Sequence, residues 1–324
     1  MRRIIYLILS FSIVIGFIFY APGGLTRPLK LSEKTTIFIE KGDSTLSIVN
    51  MLKEKKLIPY GLTFLSAVAF FKVKKQSLKH GEYEIEPQTN LLQLLQKIIS
   101  GDVVVHYLTI PEGLTVQEIS KKLEDTSLLT GTIEILPQEG TLLPETYDYY
   151  WGDTRQDLIE RMAKAMQKLR QSVWQEHKNQ SFCKNWTEVL TLASIVEKET
   201  ALPQERNVVA SVYLNRLKIG MPLQADPTVI YAVTKGQTSF YRPIFKTDLA
   251  TESPYNTYLQ KGLPPTPIAC PGQASIMAVL KPAKTSYLYF VANGSGGHEF
   301  SSDLKTHNHH VRTWRATEKK KKEK

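Results

Sequence analysis

Two carboxylates near the end of one apolar run are the side chains of this sequence best placed for acid–base chemistry: Glu197 and Glu199, within Ala193-Ser-Ile-Val-Glu-Lys-Glu-Thr200. From Thr187 to Thr200 the apolar positions Val189, Leu192, Ala193 and Val196 fall at i, i+3, i+4 and i+7, the spacing of one buried helical face. On a helix the two acids point about 200° apart and cannot share a cleft. Glu199 projects about 70° and Glu197 about 90° from the centre of the apolar face, which leaves the choice between them open. A carboxyl beside an apolar face has reason to keep its proton near neutral pH, since desolvation disfavours the carboxylate, and a proton donor of that kind is what glycosidic cleavage needs. On charge pattern alone, a solvated Glu-Lys-Glu helix end is the alternative.

Other chemistries have weaker signatures. His298, His307, His309 and His310 crowd the C-terminal region but lack the HExxH spacing and any Cys ligand pair, so no metal or other cofactor is expected. Asn293-Gly-Ser-Gly-Gly297 lacks the Gly-Lys-Ser/Thr ending of a phosphate-binding loop and reads as a flexible cleft edge. Cys183 and Cys270 form no CxxC motif, and their separation does not decide whether they pair. The net charge is +10, yet Arg312 to Lys324 holds seven basic and two acidic residues, so half of the excess sits in one tail. The remaining basic residues are scattered and follow no nucleic-acid-binding pattern.

The elements that must position the acids follow from the N-terminus. Met1-Arg2-Arg3 precedes Ile4 to Ala21, eighteen uncharged residues that as a helix would rise about 27 Å, close to the thickness of a bilayer core. The leading positive pair favours a cytoplasmic start with everything after Pro22 on the far side. Phe19-Tyr20-Ala21-Pro22 offers no small-x-small cleavage site, so an uncleaved single-pass anchor is expected.

Beyond a linker at 22–34, Thr35 to Glu40 reads as a strand, Lys41-Gly42-Asp43 as a turn, and Ser44 as the cap of an amphipathic run with Leu46, Ile48, Val49 and Leu52. A similar order recurs at Ile110-Pro-Glu-Gly113, Thr115, Val116, Ile119 and Leu123, with a shorter echo from Ile85 through Thr89 to Leu95. The first unit resembles a LysM-type module, a fold that elsewhere contacts the N-acetyl sugars of peptidoglycan. The expected fold class is α+β: a transmembrane anchor at 1–21, small βα units at 35–140, a mixed domain at 141–315 opening with a long helix from Thr154 to about Glu176, and a basic tail at 316–324.

Several long segments, in order, resemble the endolytic murein transglycosylase (YceG-like) family. They are Ala193 to Thr200, Glu205-Arg206, Val209-Ala-Ser-Val-Tyr-Leu-Asn-Arg-Leu217, Gly220-Met221, Leu223-Gln-Ala-Asp-Pro-Thr-Val-Ile-Tyr231, Tyr255-Asn-Thr-Tyr258, Gly262-Leu-Pro-Pro265, Pro282-Ala-Lys-Thr285, Tyr287-Leu-Tyr-Phe-Val-Ala292, Gly297-His298, Phe300 and His307-Asn308. The resemblance implies that the acid in the Lys-Glu-Thr position, Glu199, is catalytic, with Glu197 as the alternative. It implies Gln224, Asp226, Tyr255, Asn256 and Tyr258 as sugar contacts. It also implies a lytic transglycosylase that cleaves MurNAc–GlcNAc bonds in nascent glycan strands, held at the bacterial cytoplasmic membrane and associated with peptidoglycan synthases. A hydrolytic muramidase using Asp226 as a second carboxylate and a non-catalytic peptidoglycan-binding scaffold are the competing expectations.

Overall fold

The computed structural model describes residues 25–322 apart from 27, 30, 59–60, 74–76 and 238–239. The expected anchor, Ile4 to Ala21, lies outside the described residues, and among those residues no helix is long and apolar enough to cross a membrane. Helices mixed with small two-stranded sheets make an α+β fold. The chain divides into two compact units, Met1–Tyr107 with Asp148–Asp153, and Leu108–Tyr147 with Thr154–Lys324.

In the first unit β1 (Thr35–Ile39) and β2 (Gly81–Ile85) pair antiparallel, with Ile37 opposite Tyr83 and Ile39 opposite Gly81. Alternate residues turn inward, so Ile37, Ile39, Tyr83 and Ile85 are buried. Between the strands lie α1 (Thr45–Glu54) and α2 (Gly61–Val73). Ser44 caps α1 as expected, its hydroxyl accepting the Ser47 N–H. Ile48, Val49 and Leu52 pack inward, but Leu46, expected on the same face, is 60% exposed. Sequence periodicity did not reveal α2, because Gly61 to Val73 is apolar nearly all round and shows no polar stripe. The echo after Ile85 becomes α3 (Leu91–Ser100), capped by Asn90 with a reciprocal bond to Gln93.

In the second unit Thr115 and Glu118 form a capping box at the start of α4 (Val116–Glu124), and Thr154 and Asp157 do the same for α5 (Arg155–His177). The strands β3 (His106–Thr109) and β4 (Thr146–Tyr149), along which the chain passes from one unit to the other, make a second two-stranded sheet. The core is built around α6 (Trp186–Glu199), against which α7 (Arg206–Lys218) and α10 (Gln273–Leu280) pack; α8 (Asp226–Thr234) and the short α9 (Lys246–Leu249) lie between them in sequence.

One buried face was expected of α6, yet every residue from Val189 to Val196 is buried. The polar residues of that stretch are satisfied locally: Thr191 donates to the Thr187 carbonyl at 2.8 Å, and the Ser194 hydroxyl donates to the Thr191 carbonyl at 2.7 Å while accepting the Ile268 N–H at 3.0 Å. After this buried stretch the last turn, carrying Glu197 and Glu199, leaves the core. The unit ends with β5 (Tyr289–Ala292) and β6 (His298–Ser301), paired antiparallel, and α11 (Leu304–Lys322) packed on both strands. Cys183 and Cys270 are both buried and free, and burial pushes each thiol up to about 12.

Candidate active site

The last turn of α6 sends its two acids into different surroundings, a difference that periodicity does not show. Glu197 is a tied carboxylate. Its Oε1 accepts from Arg206 Nη2 at 3.1 Å and its Oε2 accepts the backbone N–H of Gly272 at 2.9 Å, with the side chain 4% exposed. Arg206 opens α7 and Gly272 caps α10, so this carboxylate pins the exit of α6 to the starts of both neighbouring helices. Arg206 Nη2 also reaches Glu112 Oε2 at 3.2 Å, and burial followed by the Glu197 charge raises the Glu112 carboxyl above its usual range. A side chain at position 272 would collide with the Glu112 carboxyl, which accounts for glycine there.

Glu199 has no such tether. Its Oε2 is shielded from solvent and has no hydrogen-bond partner among the described residues. Burial, reinforced by the charge of Asp226, raises this carboxyl to about 7; the Tyr213 hydroxyl and the Arg216 charge pull the other way. Tyr213 and Arg216 lie three residues apart on one face of α7. Burial, then the Glu199 charge, holds the Tyr213 phenol well above its ordinary value, so it stays a neutral donor. Because the Tyr213 hydroxyl favours the carboxylate, Tyr213→Phe should move the Glu199 midpoint upward, read by carboxyl NMR titration.

Asp226, expected as a sugar contact, is the exposed first residue of α8, and its Oδ1 accepts from the Tyr258 hydroxyl at 2.6 Å. The two come together because the segments carrying them are joined through Thr257, which is 1% exposed. The Gln224 N–H donates to the Thr257 carbonyl at 3.1 Å, the Ala225 N–H donates to Thr257 Oγ1 at 3.0 Å, and Thr228 Oγ1 meets Thr257 Oγ1 at 2.8 Å. Gln224 itself is exposed with φ +49°, a left-handed conformation uncommon outside glycine and held here by that network.

The remaining expected contacts lie differently. Tyr255 packs on Tyr231 with ring centroids 4.8 Å apart, and its hydroxyl meets Thr266 Oγ1 at 2.7 Å. Asn256 is fully buried: its amide donates to the Leu249 and Thr251 carbonyls and its oxygen accepts the Tyr258 N–H, so it shapes the loop and presents nothing to a ligand.

Sequence reasoning missed Tyr213 and Arg216, although both lie in a segment singled out above; the available signal was a polar pair at i, i+3 inside an apolar run. It also missed the brace behind Glu199. Glu205 Oε2 accepts from Thr200 Oγ1 at 3.4 Å, while His298 approaches Glu205 through Nδ1 at 2.7 Å and its backbone N–H at 2.9 Å. Burial pushes the Glu205 carboxyl up, but the bonds from His298 outweigh it and the net shift is downward. The other crowded histidines go elsewhere: His307 stacks on Tyr289 and His310 bonds Ser301. Among the described residues no cluster of three or more ligand side chains could hold a metal ion.

Residues 37–313 match the YceG-like family. Over 332 aligned residues the chain is 33% identical to the endolytic murein transglycosylase of Bacillus subtilis (strain 168), covering 91% of this chain and 89% of that protein. The protein of the same name from Streptococcus pneumoniae serotype 2 (strain D39 / NCTC 7466) is 30% identical over 315 residues; the match takes in 83% of this chain but spans 56% of that longer relative. The crystal structure of a yceG-like protein from Listeria monocytogenes superposes with a TM-score of 0.53 at 32% identity, over 86% of this chain and 99% of that one.

Proposed function

The chain belongs to the YceG-like family, and from that premise we infer that it is an endolytic lytic transglycosylase acting on the glycan strands of peptidoglycan, with Glu199 as its acid. The observation that carries the reading is a shielded carboxyl raised to about 7 with one oxygen unpartnered, at the end of a helix buried from Val189 to Val196.

Glu199 in its protonated form donates to the glycosidic oxygen between MurNAc and GlcNAc, and the C1–O bond breaks as the oxygen leaves as a GlcNAc hydroxyl. The resulting carboxylate accepts the proton of the MurNAc C6 hydroxyl while that oxygen bonds to C1, closing a 1,6-anhydro ring. The proton count on Glu199 is restored and no water enters the product. One carboxyl serves both steps because the nucleophile is intramolecular and has a large effective concentration. Hydrolysis of the usual kind would need a second carboxylate free to activate water or attack the sugar. Asp226 is the available one, and its bond from Tyr258 commits one of its oxygens. Gln224, Asp226 and Tyr258 contact the sugars beside the cleaved bond; Tyr255 and Asn256 hold their loop.

Ile4 to Ala21 anchors the chain in the cytoplasmic membrane with everything after Pro22 outside, an assignment supported by its uncharged length and leading arginines. The strand–helix–helix–strand order of the first unit supports a LysM-like glycan contact, and cutting at synthesis sites places the protein beside peptidoglycan synthases.

Mass spectrometry of nascent, uncrosslinked strands digested in isotopically labelled water tests the reaction. Products ending in anhydro-MurNAc without the label are expected. Labelled reducing ends would make the protein a muramidase, and intact strands would leave only a binder.

A further inference from the structure

Two polar groups, Arg216 and His307, pack on one ring, that of Tyr289, and the mechanism above uses neither for the substrate. Arg216 is 8% exposed and fixed: its Nε donates to the Leu288 carbonyl and its Nη1 to the Leu223 carbonyl, both at 2.6 Å, and the guanidinium lies over the Tyr289 ring at 5.5 Å. Its Nη2 makes no hydrogen bond among the described residues. The His307 ring stacks on the same Tyr289, with centroids 5.2 Å apart and planes 23° apart, and its Nδ1 is shielded from solvent with no partner. Burial first, then Arg216 and His310, hold this imidazole below its ordinary range, so it stays neutral near pH 7. The Arg216 charge acts on Glu199 as well as on His307.

Arginine has no acceptor, and a neutral imidazole with its proton on Nδ1 adds a second donor. Two unpaired donors suit an oxygen that only accepts, and the one on His307, shielded from water, is costly until such an oxygen arrives. In a strand of N-acetylated sugars, the ether oxygens of the rings and of the glycosidic link accept weakly, and the strong acceptor-only oxygens nearest the cleaved bond are the acetamido carbonyls. We propose that Arg216 Nη2 and His307 Nδ1 form a binding site for the carbonyl oxygen of an N-acetyl group on a sugar flanking the cleaved bond. The site rests on the strand-cleaving reading and deepens it: it makes acetylation of the substrate a requirement read by named side chains. Arg216 also holds backbone carbonyls, so His307 is the residue to vary.

Binding of soluble, uncrosslinked glycan strands, either fully N-acetylated or chemically N-deacetylated, tests this in the full-length protein carrying Glu199→Gln to prevent turnover. His307→Phe keeps a ring on Tyr289 and removes the nitrogen. Its addition should weaken binding of acetylated strands about fivefold to tenfold, leave binding of deacetylated strands unchanged, and so shrink the preference between them. Unchanged binding of deacetylated strands also reports that the second variant is folded. A preference as large with His307→Phe as without it, or an equal loss for both strands, overturns the site. Failure of the wild-type protein to cut acetylated strands overturns the underlying reading and the site with it.

Discussion

Glu199→Gln is expected to lower kcat for strand cleavage about a thousandfold or more, because the amide can neither give the proton to the leaving oxygen nor take one from the C6 hydroxyl. The same substitution should stabilise the fold at neutral pH. The folded Glu199 carboxyl is raised from 4.5 to about 7, so the native state holds a proton that the unfolded chain has already lost. The stability associated with that proton is complete below about pH 4.5 and drains away as pH rises to about 7, a loss on the order of 3 kcal/mol. The amide has no such loss. Urea unfolding should therefore find the two proteins alike at about pH 4 and the variant more stable by about 3 kcal/mol at about pH 8. A gain in stability coupled to a loss of activity distinguishes a strained catalytic acid from a structural one.

Glu197 should behave in the opposite way. Glu197→Ala leaves the Arg206 guanidinium without its buried partner and the Gly272 N–H without its acceptor, and should lower the unfolding free energy by about 3–5 kcal/mol in urea denaturation. Glu197→Gln keeps an acceptor for one of those donors; it should lose less stability and, once folded, still cut strands. If Glu197→Gln were folded and inactive while Glu199→Gln cut strands, the two roles would have to be exchanged.

The asymmetry between these neighbours was not legible in the helix that carries them. Their angular offsets from the apolar face are nearly equal, and what separates them comes from distant segments: Arg206 and Gly272 on one side, Tyr213, Arg216 and Asp226 on the other. Local devices could be read directly. Ser44, Thr115 and Thr154 each sit just before an apolar-periodic run, and each caps a helix. An element without local contrast cannot be read that way, which is why periodicity misses α2 and shows only one of the buried faces of α6. Asn256 shows the same limit at the site. The family resemblance implies a ligand contact there, but its partners are the backbone carbonyls of Leu249 and Thr251 and the N–H of Tyr258, a loop geometry that exists only after folding.

The central claim is that Glu199 keeps its proton near neutral pH because of where the fold puts it. The most direct measurement is a pH titration of carboxyl-labelled glutamates by carbon NMR in the wild-type, Glu199→Gln and Glu197→Gln proteins. One resonance should titrate with a midpoint of about 7, be missing from Glu199→Gln and persist in Glu197→Gln. A Glu199 resonance that titrates with the ordinary carboxyls near 4.5 would contradict the account.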